Sequence, residues 1–152
     1  MTQNTLLLAI DQFESGQAAV DFTIGFAGER GDDVMVFHVR EPSRSLRVPP
    51  IETVAEAESL VDDAVRSIQL AGIGAFGLMH AGRDSDVGSL IVEEASTFKC
   101  SAIVLGSLRL KGAQRIAGHG VRESVLQHTS LPVCITPSAL RFGRLTPRSV
   151  SY

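Results

Sequence analysis

The chain has 152 residues, of which 44% are hydrophobic and 20% are charged, and its formal net charge at pH 7 is −3. This length corresponds to one domain whose core is large enough to fold without disulfides or metals. The composition excludes a disordered chain, and the small net charge gives no reason to expect a nucleic acid or a membrane as partner.

Strand-like and helix-like segments alternate along the chain. Continuous apolar runs indicate strands buried in a parallel sheet, and apolar residues at helical spacing indicate helices. In the first half of the chain we predict a strand at 5–10, a helix from Ser15 to near Gly31, a strand at 34–39, a loop at 40–50 and a helix at 51–71 with Pro50 in its first turn. In the second half we predict a strand at 75–81, a helix starting at Ser85 and a strand at 101–105. A glycine-rich basic loop at 107–119, a helix at 121–128 and a strand at 131–136 follow.

This order predicts the α/β class, with an open, mostly parallel five-stranded sheet and helices on both faces, in a Rossmann-like arrangement. Residues 1–137 form the predicted domain, and residues 138–152 are expected to be a mobile basic tail. Ligands of such sheets bind beyond the carboxyl ends of the strands, where the winding direction reverses. Asp11, residues 38–40 and the loop at 106–120 are therefore the places to search for a site.

The distribution of charge and the cysteine content indicate possible binding partners and the cellular compartment. Residues 1–105 carry 7 Lys and Arg against 16 acids, whereas residues 106–152 carry 7 against Glu123 alone. The basic third either contacts phosphates or an acidic partner, or is ordinary solvated surface. Cys100 and Cys134 form no CxxC pair and are expected to be free thiols in a reducing compartment. No basic n-region precedes the short apolar run at 6–10, so we predict a cytoplasmic protein.

No catalytic or metal-binding constellation is evident. The histidines lack HxxxH or HExxH spacing, and the sequence after Gly106 is not a GxSxG elbow. His38 lies within a predicted strand and is expected to be a hydrogen-bonded core residue. Asp11 either contacts a ligand or caps the following helix and its turn. Asp84 and Asp86 are interpreted as acids at a helix start.

Four segments carry a resemblance to a known family: LLLAIDQ, VMVFHVRE, IVEEASTFKCSAIVLGS and GVRESVLQHTSLPVCIT. Together they are similar to the universal stress protein pattern over residues 5–136. The resemblance implies an adenine nucleotide alpha hydrolase-like fold. Related folds that activate acids carry SGGxDS or HIGH signatures; neither occurs here, so we predict that the protein is not an enzyme and has no catalytic residues.

The phosphate loop departs from the ATP-binding pattern of that family, Gly-x-x-Gly followed after nine residues by Gly-Ser or Gly-Thr. Aligned from Gly106, this chain has Arg109, His119 and Gly120 at the other three positions. Side chains at 109 and 119 obstruct the close approach of backbone amides to phosphate, and Gly120 lacks the hydroxyl. A shift of one residue would instead present Gly118, and basic side chains of the loop could hold phosphates.

The base end of the implied nucleotide site is retained. Asp11 matches the acidic residue that meets adenine or ribose, and Val39 matches the apolar residue beside the base. The candidate nucleotide-binding residues are Ile10, Asp11, Val39, Leu105, Gly106, Arg109, Gly118, His119, Gly120 and Val121. No cofactor is certain from the sequence; ATP or another adenine nucleotide is the ligand that the resemblance implies, and no metal is expected.

The fifth strand is predicted at a sheet edge, where the resemblance implies pairing with its copy in a homodimer. The candidate interface residues are Pro132, Val133, Cys134, Ile135 and Thr136. Cys134 either lies near the dimer axis or is an inert core residue. The leading functional hypothesis is a dimeric stress-response or regulatory binding protein with a degenerate ATP-binding loop and an unidentified protein partner. The alternative is an ATP or AMP sensor that switches partners on binding, and a nucleotide hydrolase is the third hypothesis.

Overall fold

A computed structural model describes residues 3–11, 15–41, 52–83, 86–106 and 114–136, with only the backbone of residues 15–16 and 114–119. Five strands and four helices alternate in these ranges. They are β1 (Thr5–Ala9), α1 (Ser15–Arg30), β2 (Asp33–Arg40), α2 (Val54–Leu70), β3 (Ala75–Ala81), α3 (Val87–Thr97), β4 (Ala102–Leu105), α4 (Gln114–His128) and β5 (Val133–Ile135). The predicted fold class is confirmed.

The strands form one parallel sheet in the order β3-β2-β1-β4-β5. The chain winds outward from β1 to β3 and then returns to the other side of β1 as β4, so the winding direction reverses between β1 and β4. Ala9, at the end of β1, is level with Phe37 on β2 and Leu105 on β4. The carboxyl ends of these three strands therefore meet at one place, as the sequence predicted.

Alternate residues of the central strands pack into two cores on opposite faces of the sheet. On one face Leu6, Leu8 and Val36 pack with buried residues of α1 and α2. On the other face Leu7 and Phe37 pack with buried residues of α3 and α4. A strand buried on both faces needs apolar residues at every position, which explains the continuous runs TLLLA and VMVFHV.

Helix α2 begins three residues later than predicted because Thr53 caps it. The Thr53 hydroxyl accepts a hydrogen bond from the Glu56 amide, and the Glu56 carboxylate accepts one from the Thr53 amide. This reciprocal capping box satisfies two amide groups at the helix start. Pro50, predicted in the first turn, lies outside the described residues. Among the described residues, no helix is long and apolar enough to cross a membrane.

The prediction for the fourth helix was wrong at its start. The sequence favoured a loop through residue 119 and a helix from 121 because Gly118 and Gly120 each cost about 1 kcal/mol within a helix. In the structure α4 begins at Gln114, so both glycines are helical. Val125, which is fully buried, fixes the second half of α4 against α3 and the sheet. Such tertiary packing routinely overrides intrinsic propensity.

Candidate functional site

Two candidate residues flank the place where the winding reverses. Asp11 follows β1 and is partly buried, and Gly106 follows β4 directly beside it. The Ile10 amide donates to the Phe37 carbonyl at 3.0 Å, which continues the β1–β2 ladder for one residue past Ala9. The side chain of Ile10 packs in the core on the α1–α2 face. Ile10 therefore borders the site through its backbone.

The apolar candidates lie together on the α3–α4 face. Val39, Leu105 and Val121 come from β2, β4 and α4, and all three belong to or pack against the same hydrophobic cluster. Leu105 is buried, whereas Val39 and Val121 retain some exposure at the rim of this cluster. The structure thus places the three residues on one apolar surface beside the reversal point, where a flat aromatic base could stack.

Two residues of this surface were not predicted from the sequence. A Cβ atom at Gly82 would lie 2.8 Å from Leu90 Cδ1 and 3.2 Å from Val39 Cγ1. Gly82 therefore lets Leu90, on α3, approach Val39 across the end of β3. The signal available in the sequence was a glycine directly after a predicted strand, which often marks a close approach of this kind.

The phosphate end differs from the sequence-based expectation. Gly118, His119 and Gly120 lie inside α4, at its fifth to seventh residues. Only the first four amides of an α-helix lack an intrahelical acceptor, so the amides of these three residues are used within the helix. No free backbone cradle exists at 118–120. Arg109 lies outside the described residues.

Helices α3 and α4 meet closely beside this surface. A Cβ at Gly88, on α3, would lie 2.5 Å from Ser124 Cβ and 3.1 Å from the Val121 carbonyl oxygen, both on α4. Glycine is required by space here, since the obstructing atoms are backbone and a β-carbon. This contact sets the distance of Val121 from α3.

His38, within β2, has its own partners. Its Nδ1 donates to the Ile10 carbonyl at 2.8 Å, and its Nε2 lies 2.9 Å from both carboxylate oxygens of Glu52. The prediction of a hydrogen-bonded core histidine is confirmed. Glu52 was not singled out from the sequence, because nothing in the chain near residue 52 indicates that a carboxylate lies against a strand 14 residues earlier.

Arg40, the last residue of β2, places a buried guanidinium nitrogen near the site. Its Nη1 is buried and has no hydrogen-bond partner among the residues that the structure describes. The backbone is fixed, because the Arg40 carbonyl accepts from the Gly82 amide at 3.0 Å. Residues 38–40 thus combine a partnered histidine, an apolar rim residue and a cation.

The remaining histidines have structural partners, and neither thiol forms a disulfide. His80 Nε2 lies 2.9 Å from Glu94 Oε1, and His128 Nδ1 donates to the Ser124 carbonyl at 2.7 Å near the end of α4. Burial raises the pKa of the Cys100 thiol to about 11, so it remains protonated at neutral pH. Both cysteines are free. The described part of the chain contains no group of three or more potential metal ligands.

Strand β5 lies at a sheet edge, as predicted. Val133 packs against the α3–α4 core and Cys134 against the α1–α2 core. Ile135 is 42% exposed, whereas Thr136 is buried and its amide donates to the Leu105 carbonyl at 3.0 Å. Pro132 is exposed. Asp86 occupies the N-cap position of α3 without a side-chain cap bond, and Asp84 and Ser85 lie outside the described residues.

A family model and several solved structures of the same family match this chain. The model of the Universal stress protein family matches residues 3–137. A universal stress protein from Archaeoglobus fulgidus in complex with dAMP is similar in structure, with 22% identity, a TM-score of 0.67 and coverage of 90% of this chain and 100% of that chain. A universal stress protein in complex with cAMP gives 18% identity, a TM-score of 0.67 and coverage of 90% and 98%.

A plant structure extends the similarity. A universal stress protein family protein from Arabidopsis thaliana with AMP bound gives 15% identity, a TM-score of 0.61 and coverage of 88% of this chain and 90% of that chain. Among curated proteins, none matches this chain. At these identities the structural likeness establishes a shared fold.

Proposed function

Because the chain belongs to the universal stress protein family, matching its model over residues 3–137, we propose that it is a non-catalytic regulatory protein that binds an adenine nucleoside monophosphate. The single observation that carries this proposal is that the base end and the phosphate end of the cleft differ. An apolar surface suited to a base is present, while the backbone amides of residues 118–120 are used within a helix and are not free to hold a chain of phosphates.

The base would lie against the surface formed by Val39, Leu105 and Val121. A planar apolar ring gains free energy from leaving water, at roughly 25 cal/mol per Å² of apolar surface buried. Asp11, two residues after the end of β1, would accept a hydrogen bond from a ribose hydroxyl or an exocyclic amine. These features select for the nucleoside and require little from the phosphates.

The phosphate end favours a short phosphate. ATP needs several backbone amides around its β- and γ-phosphates, and the amides of Gly118–Gly120 are used within α4. A single phosphate can be neutralised by one basic side chain. The related structures named above hold dAMP, cAMP and AMP, each of which is a monophosphate.

A regulatory scaffold that binds no nucleotide is the second candidate. It is favoured by the loss of three of the four residues of the ATP-binding pattern, at positions 109, 119 and 120. In that case the cleft is vestigial, and the protein acts through contacts with a partner protein.

Calorimetric titration with AMP, cyclic AMP, ADP and ATP, with and without magnesium, distinguishes the two candidates. We expect AMP to bind at micromolar strength and ATP to bind no more tightly, because the amides of residues 118–120 are used within α4 and cannot hold the extra phosphates. Val39→Glu should weaken AMP binding at least about tenfold, equivalent to about 1.4 kcal/mol, because a carboxylate then lies beside the base. Leu70→Glu is the matched control, since Leu70 is 82% exposed on α2, and should leave the affinity unchanged. Absence of binding by all four nucleotides to the folded protein would favour the scaffold.

We also propose that the protein is a homodimer paired through β5. This strand is only three residues long, lies at the sheet edge and exposes Ile135, and Leu126 on α4 is also exposed. Burial of an open edge and of exposed apolar side chains favours association with a second copy.

Light scattering at micromolar concentration tests the dimer. The wild-type protein should be dimeric, and Ile135→Lys should produce a monomer because it places a charge on the paired edge. Phe76→Lys introduces the same charge on β3, at the opposite edge, and should remain dimeric. A monomeric wild type, or a dimer that survives Ile135→Lys but not Phe76→Lys, would contradict pairing through β5.

A further inference from the structure

Arg40, the last residue of β2, carries a cation that the described residues leave without a partner. Its Nη1 is buried and makes no hydrogen bond to any residue that the structure describes, and the ion pairs among those residues do not include Arg40. A guanidinium is a permanent cation that can only donate hydrogen bonds. Because buried donors are almost always paired, an unpaired one at the edge of a cleft indicates a place that a ligand can complete.

The backbone fixes Arg40 at the open end of the sheet. Its carbonyl accepts a hydrogen bond from the Gly82 amide at 3.0 Å, and Arg40 is level with Ala81 on β3. On its other side, β2 pairs with β1 as far as Phe37, which is level with Ala9. Arg40 follows Phe37 by three residues, roughly 10 Å farther along the strand. It therefore stands beyond the end of β1, over the place where the winding direction reverses.

The side chain of Arg40 belongs to the α1–α2 side of the sheet. Val36 packs on that side and Val39 packs on the α3–α4 side, and alternate residues of a strand share a face. Glu52 supplies a carboxylate on the α1–α2 side, but both of its oxygens lie 2.9 Å from His38 Nε2. Among the described residues, the ion pair of Glu52 is with His38 and not with Arg40. The guanidinium is therefore available to an anion that enters over the end of β1.

A bound nucleotide would bring such an anion. Its base would rest on the surface of Val39, Leu105 and Val121, and its ribose would meet Asp11 after the end of β1. The phosphate would then extend across the end of the sheet toward the α1–α2 side. We propose that Arg40 binds the phosphate of the nucleoside monophosphate through its guanidinium, in place of the glycine-rich loop of the ATP-binding pattern. This inference rests on the proposed function and adds the residue that recognises the phosphate.

This assignment accounts for a preference for a single phosphate. Hydrogen bonds from a guanidinium to phosphate oxygens are charge-assisted and often bidentate, so one arginine can hold one phosphate group. Further phosphates would need further donors, and the amides of residues 118–120 are used within α4. Affinity should therefore depend on whether a phosphate is present and not on how many there are.

Calorimetric titration with AMP and with adenosine tests this proposal, because the two ligands differ only in the phosphate. The wild-type protein should bind AMP at least about tenfold more tightly than adenosine, as expected for a hydrogen bond to a charged group. Arg40→Met should bind AMP no more tightly than adenosine and should keep the adenosine affinity, since methionine is unbranched and uncharged. Arg40→Lys keeps the charge without the planar fork and should retain part of the preference for AMP.

Two other arginines provide controls. Arg83 is exposed two residues after β3, at the same end of the sheet, and Arg83→Met should retain the full preference for AMP. Arg122 follows Val121 on α4, and Arg122→Met should retain it as well. Loss of the preference in Arg122→Met but not in Arg40→Met would overturn the proposal, as would an equal loss of both ligands in Arg40→Met.

The wild-type titrations separate this inference from the proposed function. Equal affinities of the wild type for AMP and adenosine would overturn the role of Arg40 and leave the nucleoside site in place. If the wild type binds neither ligand, the proposed function fails and this inference fails with it.

Thermal unfolding covers the case in which Arg40→Met binds weakly because its fold is disturbed. A buried guanidinium without a partner opposes folding, so ligand-free Arg40→Met should unfold about 2–4 °C above the wild type. AMP at one fixed concentration should raise the midpoint of Arg83→Met as much as that of the wild type, and that of Arg40→Met by less. A ligand-free midpoint of Arg40→Met below that of the wild type would mean that Arg40 supports the fold itself, and would overturn the proposal.

Discussion

Replacing His38 with leucine is expected to lower the free energy of unfolding at pH 7 by about 3–5 kcal/mol. The substitution removes the imidazole that contacts both groups, so the Ile10 carbonyl and the Glu52 carboxylate each lose this hydrogen-bond partner in a buried site. A buried carboxylate without a partner is among the most destabilising results of a single substitution. Urea unfolding monitored by circular dichroism measures the effect.

Two controls separate loss of the pair from loss of packing. His80→Leu removes the histidine of the more exposed pair and should cost no more than about 1 kcal/mol. The double variant His38→Leu with Glu52→Leu should recover part of the stability lost in His38→Leu, because it removes the stranded carboxylate. A double variant less stable than His38→Leu alone would show that the buried charge is not the cause.

Phe37→Ala is expected to cost about 3–5 kcal/mol, measured in the same way. Phe37 is 1% exposed at the centre of the α3–α4 core, where its ring contacts that of His80 with a centroid distance of 5.6 Å. Removal of the ring forfeits its transfer free energy and leaves a cavity that the sheet cannot close without moving the strands beside it. Because Val39 follows two residues later on the same face, the cavity should also weaken nucleotide binding.

Phe76→Ala is the matched control for this change. Phe76 lies on the edge strand β3, is 41% exposed and contacts the exposed ring of Phe98 at a centroid distance of 5.7 Å. Its removal should cost about 1 kcal/mol, because less area leaves water on folding and solvent can fill the space. Equal losses for Phe37→Ala and Phe76→Ala would mean that the α3–α4 core contributes less to stability than its burial implies.

The order of strands and helices could be predicted from local patterns, although the starts of α2 and α4 could not. Runs such as TLLLA and VMVFHV are apolar at every position, and only strands covered on both faces need that. Alternation of such runs with helical spacing restricts the fold to a parallel sheet with helices on both faces. The meeting of Asp11, Val39 and Gly106 at one end of the sheet then follows from topology.

Helix α4 shows where local patterns mislead. Gly118 and Gly120 indicated a loop because glycine opposes helix formation, and the structure includes both in a helix of 15 residues. The penalty of two glycines is smaller than the free energy gained where α4 packs on α3 and buries Val125. Helix propensity is an intrinsic property of each residue and can be seen in the local sequence. The packing of α4 on α3 instead involves residues more than 30 positions apart, such as Gly88 and Ser124.

The sequence by itself determined the family, the α/β order, the position of the candidate cleft and the loss of the ATP-binding pattern at residues 109, 119 and 120. Only the tertiary structure decided that the amides of 118–120 are used within a helix, that Leu90 approaches Val39 over Gly82, and that Glu52 meets His38. The physical reason is the range of the interactions. Periodicity and turn chemistry are local and can be seen in the sequence, whereas close packing and buried hydrogen bonds depend on which distant segments the folded chain brings within a few ångströms.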